Sequence, residues 1–270
     1  VPRAALTQDG ERGAFHIRDS ASSPWRKVAD FNLFDAAVYE PLYYDKSGTL
    51  YVSGRIGGRD HAAIHRFDST KAAPDPEPLV NVKGYDIERG LIIEPETDRL
   101  LGVHFEAEVE GTHWLDPVWK ERQTMVDRAL PGKSNRLSGK VDNFLVVRSE
   151  SDASPPRYYL LDAKVNRLSL LGISQPAVDE KLQARSDYIR YEARDGLSIP
   201  ALLTLPRGKE PKDLPLVVLV HGGPFLRGVS WGWDADRQFL ASRGYAVLEP
   251  EFRGSEGYGW KHARAGWKQL

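Results

Sequence analysis

The sequence predicts two architectures in series. An all-β portion of repeated hairpins runs to residue 183, and an α/β portion occupies residues 184–270. Three observations predict this. Before residue 183, short apolar runs alternate with turn residues at the two-residue period of strands. After it, residues 187–192 and 198–205 flank the turn Arg194-Asp195-Gly196 and read as a hairpin. From residue 215 a strand, a glycine loop, a helix and a second strand follow in the order of a βαβ unit.

The bulk numbers exclude several classes. The 270 residues suffice for one large or two ordinary domains. Lys and Arg number 37 against 38 Asp and Glu, a net charge of −1, so no basic excess points to nucleic acid. No apolar run approaches the roughly 20 residues of a membrane-spanning helix, and the expectation is a soluble protein, cytoplasmic or periplasmic. Cysteine is absent, which excludes disulfides, thiolate metal sites and a cysteine nucleophile. The first residue is Val1 and no signal-like apolar segment follows, so the expectation is that the original N-terminus has been removed.

In chain order, strands are expected over residues 14–18, 49–54, 62–67, 100–107, 144–149, 158–162 and 168–172. The runs around Phe15, Tyr51, Leu101 and Phe144 recur at about 35–50 residues, the period of a four-stranded propeller blade. A hairpin-rich sandwich gives similar alternation, so the pattern alone leaves both open. One segment departs from it. Residues 113–130 place apolar side chains at 118, 119, 125, 126, 129 and 130. Asp116-Pro117 opens a helix there and Pro131-Gly132 stops it. The proline-rich stretch 71–78 reads as a loop and 176–181 as a charged joint.

In the second portion, residues 216–220 form an unbroken apolar run rich in β-branched valine, as expected of a strand covered on both faces. His221-Gly222-Gly223-Pro224 follows. The paired glycines let a backbone approach a ligand closely, and Pro224 ends the ladder. Asp234 caps a helix whose apolar face carries Ala235, Phe239 and Leu240, with Gly244 as its stop. Residues 245–248 are a second strand. Arg253-Gly-Ser-Glu-Gly-Tyr-Gly is a turn, and Trp260, Ala263, Trp267 and Leu270 share one face of a closing helix.

These motifs resemble the start of the catalytic domain of the prolyl oligopeptidase family, serine peptidase family S9. The closest likeness is to its acylaminoacyl-peptidase-like branch. There HGGP precedes a tryptophan-rich loop, then ASRGYAVL-P, then FRGS-GYG, matching residues 221–224, 241–250 and 252–259 here. The resemblance implies a β-propeller portion, residues 1–183, then the N-terminal part of an α/β-hydrolase domain with a mostly parallel sheet, residues 184–270. It also implies peptide-bond hydrolysis of short peptides through an acyl-enzyme, with no cofactor, no nucleic acid and no membrane partner. Family propellers have around seven blades, which at this period need roughly 300 residues, so both portions are expected to be incomplete.

The residue roles follow from the chemistry. An acyl-transfer hydrolase needs a nucleophile, a base, an orienter and donors for the oxyanion. The resemblance makes the Gly223 N–H the oxyanion donor and His221 the residue that orients its loop. Arg253, Trp231 and Tyr258 are candidates for substrate contact. Gly228-Val229-Ser230-Trp231-Gly232 spells G-x-S-x-G, but no strand runs into it and too little chain follows to carry an acid and a base. Ser255 lacks the first glycine, since Arg253 stands there. Nucleophile, acid and base are therefore expected outside these residues, and the chain alone is expected to be inactive. The strand at 216–220 would then be an exposed edge, covered by a missing C-terminal half or by self-association. The alternatives are a non-catalytic propeller-containing binding module and an esterase or amidase of the same fold. His61 and His65 stand four apart in a strand-like stretch and have no metal-ligand spacing.

Overall fold

A computed structural model describes residues 2–36, 38–139, 143–223 and 225–269. The chain divides into two compact units, residues 1–107 with 256–263, and residues 108–255 with 264–270.

The first unit is built of antiparallel meanders. β1 (Ala4–Asp9), β2 (Arg12–Ile17) and β3 (Arg26–Asn32) pair consecutively. So do β4 (Tyr39–Tyr44), β5 (Leu50–Gly54), β6 (Ala63–Asp68) and the two-residue β7 (Ala73–Pro74). The stretch at 71–78, expected as a loop, thus contributes a short strand, because Ala73 and Pro74 lie in register with Asp68 and Phe67. β8 (Leu91–Ile93) pairs with β9 (Leu100–Glu106). Alternation sets the core. Phe15, Ile17, Tyr39, Leu50, Val52 and Phe67 form one buried cluster. Phe15 meets Tyr39 and Phe67 edge-on, both at 5.4 Å between ring centres, the arrangement that ring quadrupoles favour. His65 is fully buried and donates from Nδ1 to the Asp75 carbonyl at 2.7 Å.

The second unit opens with β10 (Glu110–Trp114) and α1 (Pro117–Ala129). This helix is the one expected from the sequence. The Asp116 carboxylate accepts from the Val118 and Trp119 amides, Pro117 stands in the first turn, and Trp119 and Val126 are buried. β11 (Ser134–Ser138), β12 (Phe144–Ser151), β13 (Ser154–Asp162) and β14 (Arg167–Ile173) form a four-stranded meander. Along β12, Leu145, Val147 and Ser149 are buried while Phe144 and Val146 are exposed, the period-2 pattern of a one-sided sheet.

The final sheet contains β15 (Arg185–Glu192), β16 (Ser198–Leu205), β17 (Leu216–Val218) and β18 (Ala246–Pro250), in the order β15-β16-β18-β17. β17 and β18 are parallel, joined through α2 (Ala235–Ser242), so the βαβ unit is present. The mostly parallel sheet expected from the resemblance holds for this pair only. The ladders β15–β16 and β16–β18 are antiparallel, because the chain enters the sheet as a hairpin.

Two expectations about burial are corrected. β17 is not covered on both faces. It stands at the sheet edge, and Leu216, Val218 and Val220 are 54%, 52% and 64% exposed; among the described residues β18 is its one paired strand. Nor does α2 bury Ala235 and Phe239, which are both exposed. Its buried residues are Arg237, Gln238 and Ala241. The polar pair goes inside because each finds buried partners, Arg237 at Glu249 (2.9 Å) and Gln238 at the backbone of Ala184 and Asp152. The closing helix is also shorter than expected: α3 covers Trp260–Arg264, with turns beyond it. The expectations placed on Pro224 and Leu270 lie outside the described residues. No described helix is long and apolar enough to cross a membrane.

Candidate active site

The parallel pair β17–β18 positions the candidate site at its C-terminal end, where ligands gather in open α/β sheets. β17 leads into residues 221–223, and β18 leads into Glu251, Phe252 and Arg253. The Glu251 amide donates to the Pro200 carbonyl at 2.8 Å, so its backbone is fixed to β16.

Glu251 is fully buried. Its carboxylate accepts from the Val229 amide at 2.7 Å and the Gly228 amide at 3.1 Å. It also lies 3.1 Å from His221 Nε2. The His221 ring stacks on Phe252 at 4.5 Å and donates from Nδ1 to the Gly222 carbonyl at 2.8 Å. Gly228 sits against this ring: a Cβ there would come 2.0 Å from His221 Cγ, so only glycine lets the backbone approach. Gly223 adopts φ 142°, and a side chain at this position would meet Leu226 Cγ at 2.7 Å. Gly222 and Gly223 are exposed.

The serines differ in kind. Ser255 is fully buried, with Oγ 3.3 Å from His221 Nε2. The Glu251 carboxylate faces this same nitrogen, whereas a serine relay has its acid on the opposite ring nitrogen. Ser230 is exposed on an irregular segment, and its carbonyl accepts from Arg237 at 3.3 Å. Neither serine occupies a strand-to-helix elbow.

The remaining candidates are held by different partners. Arg253 makes a two-pronged pair with Asp195 in the β15–β16 turn, both contacts at 2.8 Å. These hydrogen bonds hold the Asp195 carboxyl down to about 2 and raise Arg253. Trp231 donates its indole N–H to the Ser186 carbonyl at 3.3 Å and is half-buried. Tyr258 belongs to the first unit, where its buried ring meets Tyr85 and His262, each at 5.7 Å. The structure therefore gathers His221 and Gly223 with Glu251, Phe252 and Gly228, and sets Arg253, Trp231 and Tyr258 among other neighbours.

Sequence reasoning missed Glu251 and Gly228. Glu249-Pro250-Glu251 follows the apolar run at 246–248, and a carboxylate just past the end of a buried strand is a signal that could have found Glu251, because a charge there needs partners.

Comparison with known proteins bears on the same residues. Residues 231–270 match the model of the prolyl oligopeptidase family. The chain is 30% identical over 264 residues to dipeptidyl aminopeptidase BIII of Pseudoxanthomonas mexicana, a match covering 94% of this chain. The chain is thus similar to the prolyl oligopeptidase family. Dipeptidyl peptidase family member 6 of Caenorhabditis elegans is 25% identical over 92% of the chain. Among solved structures, Porphyromonas gingivalis dipeptidyl peptidase 4 superposes with a TM-score of 0.65 at 14% identity, over 97% of this chain and 38% of that one. A puromycin-hydrolysing peptidase of Mycobacterium tuberculosis gives 0.65 at 20% identity, over 97% and 41%. These likenesses carry the fold: the meandering sheets are those of the propeller part of prolyl oligopeptidase family enzymes, which decides between propeller and sandwich. The chain spans 37% and 36% of the lengths of the two curated relatives.

Proposed function

We propose that this chain supplies the oxyanion side of a serine peptidase that cleaves short peptides through an acyl-enzyme. The observation that carries the reading is the glycine turn at 222–223, exposed at the end of a parallel strand pair, with Gly223 in a conformation reserved for glycine. A backbone N–H presented there is the donor that a tetrahedral oxyanion requires. His221 orients this turn through its contacts to Glu251 and Phe252. Residues 1–183 form the propeller portion and 184–270 the start of the hydrolase domain. Nucleophile, acid and base lie outside residues 1–270, so the chain by itself is inactive. Arg253 and Trp231, in the same unit as the turn, contribute to substrate contact, and the chemistry requires no cofactor. The dipeptidyl peptidases among the relatives make removal of N-terminal dipeptides the first activity to assay.

The test is fluorophosphonate labelling with intact mass and peptide mapping, run on the 270-residue chain and on the natural polypeptide, beside hydrolysis of dipeptidyl chromogenic substrates. Labelling of a serine outside residues 1–270, with none in the 270-residue chain, supports the proposal. An adduct on Ser230 or Ser255 overturns the placement of the nucleophile. A natural polypeptide that neither labels nor hydrolyses peptides overturns the peptidase reading and favours a binding module.

A further inference from the structure

We propose that Glu251 is the positioning residue of the oxyanion donor, an inference that rests on the peptidase reading above. One carboxylate holds the segment after β17 at two places. It faces His221, the first residue beyond the strand run, at 3.1 Å. It also accepts from the amides of Gly228 and Val229, where the chain leaves the glycine turn, at 3.1 and 2.7 Å. These two places touch each other as well, since Gly228 packs directly against the His221 ring. The turn at 222–223 therefore projects from a closed base, and Glu251 is the group that closes it.

The arrangement is stiff for physical reasons. Glu251 is fully buried, and its main chain is tied to Pro200 of β16. A buried carboxylate must keep its hydrogen-bond donors, because leaving it unpaired is costly. The donors here include two backbone amides with no rotamer freedom, so neither side of the contact can adapt by swinging a side chain away. The location of the Gly223 N–H is thus inherited from the sheet through Glu251. Donors of this kind act only when preorganised within a few tenths of an ångström of the developing charge. Glu251 touches no reacting atom in this scheme. It acts through the turn.

The experiment compares wild type, Glu251→Gln and Glu251→Ala in the natural polypeptide. Two readouts are taken: amide exchange at Gly228 and Val229, and kcat and KM for a dipeptidyl chromogenic substrate, normalised to fluorophosphonate-titrated sites. Glutamine keeps an acceptor for the amides but turns a donor toward His221. Alanine removes all three contacts. Exchange at Gly228 and Val229 is expected to rise about tenfold or more in Glu251→Ala and less in Glu251→Gln. The kcat per titrated site is expected to fall about 100-fold in alanine and about tenfold in glutamine, the scale of losing one aligned oxyanion donor, with KM changed less than about threefold. A residue that merely supports folding would lower the number of titratable sites and leave kcat per site unchanged; that result overturns the proposal. Unchanged exchange at Gly228 and Val229 in Glu251→Ala, or an unchanged kcat per titrated site in Glu251→Gln, the variant that best preserves the fold, overturns it too. A wild type that neither labels nor hydrolyses overturns the peptidase reading and this proposal together, and is distinguished from the other failures by the wild-type arm alone.

Discussion

Replacing Gln238 by leucine isolates one buried polar network at nearly constant side-chain volume. The Gln238 amide makes three hydrogen bonds inside the second unit. Its Oε1 accepts from the Ala184 amide at 2.8 Å, and its Nε2 donates to the carbonyls of Ala184 and Asp152, both at 2.9 Å. Leucine leaves one N–H and two C=O groups buried without these partners. Each orphaned group costs about 1–3 kcal/mol, and partial entry of water lowers the sum, so the expected destabilisation is about 3–6 kcal/mol. That is a large share of the roughly 5–15 kcal/mol that holds a domain folded. In urea, with a slope of about 3 kcal/mol per molar, the unfolding midpoint should fall by about 1–2 M, followed by far-ultraviolet circular dichroism. Phe239→Leu, one residue away on the exposed side of the same helix, is the control and should shift the midpoint by less than about 0.3 M. A Gln238→Leu midpoint as close to wild type as that control would refute the reasoning, since the three bonds would then contribute nothing net.

Three further outcomes are expected. Asp195 should titrate near 2 by carbon NMR, and Arg253→Ala should return it toward the ordinary carboxylate range; its folded value is depressed, so the stability it contributes is present above about 4 and is lost as pH falls through about 2. An ordinary value for Asp195 in the wild type would contradict the two-pronged pair. Burial raises the Glu249 carboxyl above 4.5, outweighing the attraction of Arg237. Its contribution to stability is therefore full below 4.5 and lost as pH rises through the raised value, so the stability difference between wild type and Glu249→Gln should vary with pH above 4.5. A difference constant with pH would count against the assignment. Finally, light scattering of the 270-residue chain should show association that Val218→Lys reduces, because β17 is an apolar edge strand; a monodisperse wild-type monomer would remove the basis for a covering strand.

Local features were legible in the sequence. The helix α1 follows from Asp116, Pro117 and the spacing of Trp119 and Val126, all contained within a few turns of chain. The hairpin β15–β16 and the βαβ order follow from alternation and from an unbroken apolar run. The family resemblance rested on the same short motifs, and it pointed to the glycine turn at 222–223. Burial was less legible. Residues 216–220 read as a strand, and part of that run is one, but composition states what a strand's surroundings favour and not which surroundings are present. The face of α2 was misjudged because Arg237 and Gln238 look like solvent-facing residues until Glu249, Asp152 and Ala184 are placed beside them.

What the sequence determined by itself was the order of elements and the chemical character of the turn between β17 and α2. Those depend on backbone preferences and on side chains a few positions apart, which the chain carries in its local order. Only the tertiary structure decided that Glu251 holds both ends of the segment around that turn, that Arg253 is spoken for by Asp195, and that Gly228 must lack a side chain. The first two depend on residues more than twenty positions apart in sequence converging within hydrogen-bond distance, and the third on the His221 ring folding back against Gly228. No local pattern encodes such a meeting, because it is fixed by the register of the sheet and by the requirement that a buried charge find partners.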